Sequence, residues 1–268
     1  MSVVESSPVG VAGRTPVVSV VSPKGGNGKT TISSNLAVSL ARRTPTTIID
    51  LDVHFGDVEY ALRMRPVHRL DDVVEHMASG RTDIGGLLAP HPSGLDILCA
   101  PNDPVAADRL DPHAVFDVVD HLIEQGRPVV LDTAGGISDY SLGALDRATH
   151  IVLVCGTDVP SIQAGRKLLE TMRTLEMPLD RVHLVVNRAT AQVGLSVEDV
   201  TRVLELEASL LVPDHASLAA GMNAGSPVTE SSPKSSITVA FDEFAADILG
   251  IDDTPRRRFR ILRPGGAA

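Results

Sequence analysis

Seven short apolar runs, each separated from the next by a stretch with helical spacing or turn residues, constrain this chain more than any other feature. They cover residues 17–21, 46–49, 95–98, 129–131, 151–154, 182–186 and 210–212. The runs are near-continuously apolar or β-branched, without regular polar alternation. That is the pattern of a strand covered on both faces, and it belongs to parallel sheets sandwiched between helices. The intervening helices have readable starts. Asp111 caps and Pro112 opens the helix through residue 124, and Ser196 precedes residues 197–207 with Glu198 and Asp199 in the favourable first turn. Asp158 or Ser161 opens the stretch that ends at Glu176, and an amphipathic segment at 237–249 closes the fold. Repeated strand–helix–strand units predict right-handed crossovers and a single doubly wound α/β domain, with a mostly parallel sheet and helices on both faces. At 268 residues the chain is long enough for one or two domains. No linker or internal repeat divides it. The expected organisation is a disordered segment at 1–15, a folded domain at 16–250 and a flexible basic tail at 251–268.

Composition removes several classes of function. Hydrophobic residues are 43% and charged residues 22% of the chain, ordinary values for a folded protein. No apolar run approaches the roughly 18 residues that a membrane-spanning helix needs. The first sixteen residues have no basic cluster followed by an apolar stretch, so no secretion signal is read there. Cys99 and Cys155, both inside apolar segments, cannot build a disulfide framework or a zinc cluster. The chain therefore reads as cytoplasmic. Its net charge is −10, yet Arg256, Arg257, Arg258, Arg260 and Arg263 all lie beyond the last acid, Asp253. An acidic body repels phosphate backbones, which leaves only the tail as a nucleic-acid or anionic-lipid contact. A plainly solvated basic tail explains the same residues. With no Trp, two Tyr and five Phe, the chain also offers few platforms for stacking bases.

The strongest local signal runs from Val17 to Thr31. An apolar strand enters the turn Ser22-Pro23-Lys24-Gly25-Gly26-Asn27-Gly28, and a helix follows with Lys29, Thr30 and Thr31. Such a loop folds its backbone N–H groups into a nest for an anion, and the helix N-terminus adds positive potential. Lys29 would reach the β- and γ-phosphates of a nucleotide, and the Thr30 hydroxyl would ligate Mg²⁺. The common form of this loop has glycine at position 23, where this chain has Pro23; instead it carries a second lysine, Lys24, at the loop entrance. Two further segments end in acids. Residues 48–52 close a strand with Asp50 and Asp52, and residues 129–136 run through Asp132 into Thr133-Ala134-Gly135-Gly136. Acids in apolar surroundings are costly unless a cation or hydrogen bonds compensate them. Asp50 either caps its strand or joins a cation site. Asp132 at the end of an apolar strand fits a carboxylate facing Mg²⁺ through water. His54, in the loop after Asp52, is assigned no role.

On these residues the chain resembles the MinD/ParA group of ATPases. K-G-G-x-G-K-T, here Lys24 to Thr30, is their deviant form of the Walker A loop, and the likeness runs from about Val17 to Leu249. The resemblance implies a P-loop NTPase domain that binds ATP and ADP with Mg²⁺ and hydrolyses ATP slowly without a partner. It implies a homodimer with ATP sandwiched at the interface, in which Lys24 reaches the partner's phosphates. Lys24, Lys29 and Asp52 then form the catalytic set, with Asp52 orienting the attacking water. Thr30, Asp52 and Asp132 would hold the metal. The nucleotide-binding set adds Gly25, Gly26, Asn27, Gly28 and Thr31. By the same resemblance Asn187 and Arg188, with Pro213 and Asp214, form the adenine side, although either pair also reads as a plain strand-to-loop turn. The segment Val53-His54-Phe55-Gly56-Asp57-Val58 is similar to the CpaE/TadZ branch, localisation factors of Tad (Flp-type) pilus assembly, rather than to partitioning members, which carry Pro-Gln after the second aspartate. Many members of that branch have a receiver-like N-terminal domain, for which the stretch before Val17 is too short, and many have a degraded phosphate loop, which here is intact. Partitioning ATPases that bind DNA non-specifically, and MinD-like regulators at the membrane, are the alternatives. The resemblance also implies a protein partner that stimulates or localises the dimer, and a place at a cell pole or at the inner face of the membrane.

Overall fold

The computed structural model describes residues 14–190 and 194–251. Residues 1–13 and 252–268, including the five tail arginines, lie outside that description. In chain order the elements are β1 (Val17–Val21), α1 (Lys29–Ala41), β2 (Thr46–Leu51), α2 (Val58–Ala61), α3 (Leu70–Ala78), β3 (Ala89–Pro90), β4 (Leu95–Leu98), α4 (Pro104–Arg109), α5 (Pro112–Glu124) and β5 (Val129–Thr133). There follow α6 (Asp139–Arg147), β6 (His150–Cys155), α7 (Val159–Thr174), β7 (Val182–Asn187), α8 (Val197–Leu204), β8 (Ala208–Val212), α9 (Ala216–Ala224), α10 (Val228–Ser231) and α11 (Ser236–Ile248). One eight-stranded sheet has the order β3-β4-β2-β5-β1-β6-β7-β8. Every neighbouring pair is parallel except β3 with β4. All seven expected strands are present in a single α/β domain.

The apolar runs are continuous because alternate residues serve opposite faces. Val18, Val20, Ile48, Val130 and Val152 join Ile32 and Leu36 of α1 and Phe241 and Phe244 of α11 on one side. Val17, Ile49, Val129 and Leu131 meet Val115, Val118, Val119 and Leu122 of α5 on the other. Further along that second face, Ile151, Leu153 and Leu184 pack on Ile162, Leu168, Leu169 and Met172 of α7. The closing amphipathic segment is thus a core helix, α11, laid against α1. Arg42 at the end of α1 pairs with Asp242 at 3.2 Å, which accounts for an acid on its polar face.

Several elements refine the sequence expectation, β5 among them, which runs on through Asp132 and Thr133. β2 continues through Asp50 and Leu51, because Asp50 stands in register with Asp132 of β5. α8 stops at Leu204, with Glu205 in the left-handed region (φ 55°), which lets β8 begin at Ala208. Of the two starts expected for α7, Asp158 is the cap, its Oδ1 accepting from the Ser161 N–H at 3.0 Å, and the helix ends at Thr174 rather than Glu176. The two-residue strand β3 was not expected. It is an edge strand, where the missing N–H of Pro90 costs no ladder bond.

Candidate functional site

β1 lies between β5 and β6, so the turn that leaves it crosses the middle of the sheet's carboxyl edge. Ligands of open α/β sheets bind at that edge. The turn is held by its own sequence. Gly28 adopts φ 87°, and a Cβ there would fall 2.4 Å from Asn187 Nδ2, so both conformation and space demand glycine. Lys29 is the first residue of α1 and is buried, whereas Lys24 at the entrance is exposed and pairs with Asp158 at 3.2 Å. No acid occupies the first turn of α1, so its N-terminus keeps its full attraction for an anion. Asn27 pins the turn from three directions. Its Nδ2 donates to Ser22 Oγ (2.8 Å), its Oδ1 accepts from Ser161 Oγ (2.9 Å), and its carbonyl accepts from Asn187 Nδ2 (2.8 Å). The motif leaves this position free, and sequence reasoning gave it no such role. A polar amide among glycines was the only signal.

Two buried carboxyls, Asp50 and Asp132, sit side by side at the ends of β2 and β5. Asp50 turns inward. Its Oδ1 accepts from the Asp52 N–H and its Oδ2 from the Val58 N–H, each at 3.1 Å, so one side chain ties both ends of the loop that carries Asp52. Gly56 passes so close that a Cβ would meet Asp50 Oδ2 at 2.4 Å and Ala100 Cβ at 2.8 Å. Burial, and then the charge of Asp132, push the Asp50 carboxyl well above its ordinary range. Of the two readings left open for Asp50, the structure supports a fixed hydrogen-bonding role in the loop. Asp52 itself is only half-buried, with Oδ1 accepting from the Phe55 N–H at 3.3 Å.

Burial also pushes Asp132 up, to about 6, against the pull of the Thr30 hydroxyl, the Lys29 charge and the Ser33 hydroxyl. Among the described residues its Oδ1 has no hydrogen-bond partner. A buried carboxylate oxygen without a donor, beside a threonine hydroxyl, is chemistry that suits a hard cation or its bound water. Among the described residues no group of three or more His, Cys, Asp or Glu is placed to hold a metal ion. A cation here would therefore complete its shell with water and phosphate oxygens, as Mg²⁺ does when it arrives with a nucleotide.

The glycine turn after β5 rests on the phosphate loop. Gly136 N–H donates to the Ser22 carbonyl at 3.2 Å, and a Cβ on Gly135 would lie 3.0 Å from Gly25 N. Thr133 Oγ1 anchors the strand end by donating to the Val20 carbonyl at 2.9 Å. On the far side Asn187 spends one N–H on Asn27 and accepts the Arg188 N–H at 3.0 Å, which leaves one N–H and one lone pair for another partner. Arg188 is exposed in the left-handed region at φ 56°. Pro213 and the exposed Asp214 follow β8 nearby, where Asp214 N–H donates to Thr190 Oγ1 at 3.0 Å and Ala189 N–H to the Val212 carbonyl at 2.9 Å. The structure thus gathers Lys24 to Thr31, Asp50, Asp52, Asp132, Asn187, Arg188, Pro213 and Asp214 along one edge of the sheet.

Comparison with known proteins agrees with that geometry. A family model for the CobQ/CobB/MinD/ParA nucleotide binding domain matches residues 18–228. The septum site-determining protein MinD of Thermotoga maritima is 25% identical over 243 residues, 87% of this chain and 88% of its own. The solved structure of a ParA family ATPase from Chlorobium tepidum has the same fold, with a TM-score of 0.79 at 19% identity over 87% of this chain and 98% of that one. MinD of Pyrococcus horikoshii, solved in complex with Mg-ADP, gives 0.76 at 20% identity over 87% and 95%. The matched stretch contains the phosphate loop, both acid-bearing strand ends and Asn187, and on it the chain belongs to the CobQ/CobB/MinD/ParA nucleotide-binding domain family.

Proposed function

We propose that this chain is a Mg²⁺-dependent ATPase that alternates between a monomer and an ATP-bridged homodimer to position another assembly. The observation that carries the reading is the pair of lysines on one loop: Lys29 buried at the start of α1, Lys24 exposed at the loop entrance. One serves the nucleotide of its own subunit, and the other, at the loop entrance, reaches across to the second copy. Gly25, Gly26, Asn27 and Gly28 present backbone N–H groups to the phosphates, with Thr30 and Thr31 following. Asp52 accepts a hydrogen bond from the attacking water and aims its oxygen at the γ-phosphorus, while the bond to the β–γ bridging oxygen breaks to give ADP and phosphate. Thr30, Asp132 and Asp52 would hold Mg²⁺, which when bound neutralises charge on the β- and γ-phosphates. Asn187 and Arg188, with Pro213 and Asp214, border the adenine.

Calorimetry and phosphate release test the assignments together. Lys29→Ala should lose most ATP affinity, because it removes the buried cation of the loop. Asp52→Ala should bind ATP as the parent does yet release phosphate at least tenfold more slowly, since a water-orienting carboxylate acts on the transition state. Parental ATP binding by Lys29→Ala would contradict the phosphate-loop assignment, and parental turnover by Asp52→Ala would remove it from the catalytic set.

Within this reading we place the chain in the CpaE/TadZ-like branch, serving pilus assembly through a protein partner that docks on the dimer. The segment from Val53 to Val58 supports it. The similarity to MinD favours a second reading, a septum-site regulator at the membrane. No described helix is long and apolar enough to cross a membrane, and α11 is packed on the core, so membrane or DNA contact would fall to Arg256, Arg257, Arg258, Arg260 and Arg263. A fluorescent fusion separates the readings: a fixed polar focus supports pilus assembly, a division-site or membrane pattern the MinD-like role, and nucleoid spread a partitioning role.

A further inference from the structure

Ser161 Oγ stands between two acceptors and has one proton to give. It lies 2.9 Å from Asn27 Oδ1 and 2.6 Å from Asp158 Oδ2. The other oxygen of Asp158, Oδ1, accepts from the Ser161 N–H at 3.0 Å and from Lys24 Nζ at 3.2 Å. Ser161 and Asn27 are buried, while the Lys24 and Asp158 side chains are 46% and 49% exposed. A continuous chain of polar contacts therefore runs from the exposed lysine, through Asp158 and Ser161, to the amide that pins the phosphate loop. With Lys24 seated on Asp158, part of the carboxylate charge is met, and the serine hydroxyl still lies nearer Asp158 Oδ2 than Asn27 Oδ1. Without Lys24, the carboxylate is a stronger acceptor still for the serine proton.

We propose that Asp158 is a positioning residue that parks Lys24 on its own subunit. The proposal rests on the reading above, in which Lys24 leaves to contact the nucleotide of a second copy. The parked pair then opposes dimerisation, and the opposition is modest: exposed ion pairs of this kind favour the paired state by roughly 1.5- to 5-fold.

Asp158→Asn tests this, because the asparagine oxygen keeps the N-cap on the Ser161 N–H while the charge that holds Lys24 is removed; its NH₂ then faces Ser161 Oγ as a donor. Sedimentation with a non-hydrolysed ATP analogue at low salt should give a dimer dissociation constant about 2- to 25-fold lower than the parent's, since each dimer releases two parked lysines. The gain should shrink at high salt, which already screens the parental pair. It should also be absent from the Lys24→Ala background, which has no ammonium to release. An equal or weaker dimer for Asp158→Asn overturns the proposal. So does a gain that persists in Lys24→Ala, since that would be general charge repulsion rather than parking. Should Asp158→Asn melt below the parent, Asp158→Ser, which preserves the cap, decides between the same two outcomes. A parent that stays monomeric with the analogue removes the underlying reading and this proposal with it. A parent that pairs while Asp158→Asn pairs no better removes the proposal alone.

Discussion

At the scale of single residues, the site concentrates groups that the fold alone would not choose. Asp132 is buried with one oxygen unpartnered, and Asp50 lies next to it across the β2–β5 ladder. Burying carboxylates without full compensation costs stability, and such costs collect where a ligand later repays them. Asp132→Asn should therefore raise the stability of the ligand-free chain by on the order of 1–2 kcal/mol, a few degrees in melting midpoint for a domain of this size. The same substitution should weaken the additional stabilisation given by ATP with Mg²⁺. Thermal denaturation with and without the nucleotide checks both halves; a destabilised free chain with an unchanged nucleotide increment would contradict the assignment. Lys29, Thr30 and Asp132 were legible in the sequence because a strand–glycine turn–helix unit fixes where they must stand. Asn27 was not legible. Its partner Ser161 is 134 residues away, and no local pattern announces that meeting. The inward turn of Asp50 was equally hidden, since it depends on the path of the loop up to Val58.

At the scale of elements, continuous apolar runs identified all seven longer strands, because a strand buried on both faces carries its own signal. β3 was missed: two residues, one of them proline, have no periodicity to read. The two acid-bearing strands were cut short because acids ordinarily end a buried run, whereas here neighbouring Asp50 and Asp132 extend it. Away from the site, the starts of β6 and β7 bring His150 and His183 together, their rings stacked 5.3 Å apart, with the Phe244 ring of α11 edge-on to His183 at 5.6 Å. Burial first, then the neighbouring His150, hold His183 down to about 4, while burial and Arg181 lower His150. A histidine whose pKa is lower in the fold than in the unfolded chain keeps its stabilising neutral form at high pH. As pH falls from about 6.5 towards 4, the unfolded chain takes up a proton that the fold refuses, so stability is lost across that window and levels off below it. The loss attributable to His183 is on the order of 3 kcal/mol. Urea denaturation at a series of pH values should show a shallower acid decline for His183→Gln than for the parent. Parallel declines would contradict the linkage.

At the scale of the whole molecule, the sheet order places the phosphate loop, both acids and the loops that follow β7 and β8 on one edge. α11 seals the face beneath α1, so the proposed pairing through that edge would leave the core undisturbed. Two lysine–phosphate contacts per dimer, each worth roughly 1.5–3 kcal/mol as charged hydrogen bonds, would couple ATP to dimerisation by about a hundred-fold or more. ADP lacks the γ-phosphate and should not drive pairing. The most direct measurement is sedimentation of the parent and Lys24→Ala with a non-hydrolysed ATP analogue, with ADP as the control. The account predicts a dimer for the parent with the analogue only, and a Lys24→Ala protein that binds nucleotide but remains monomeric. A Lys24→Ala protein that dimerises as the parent does would contradict the account.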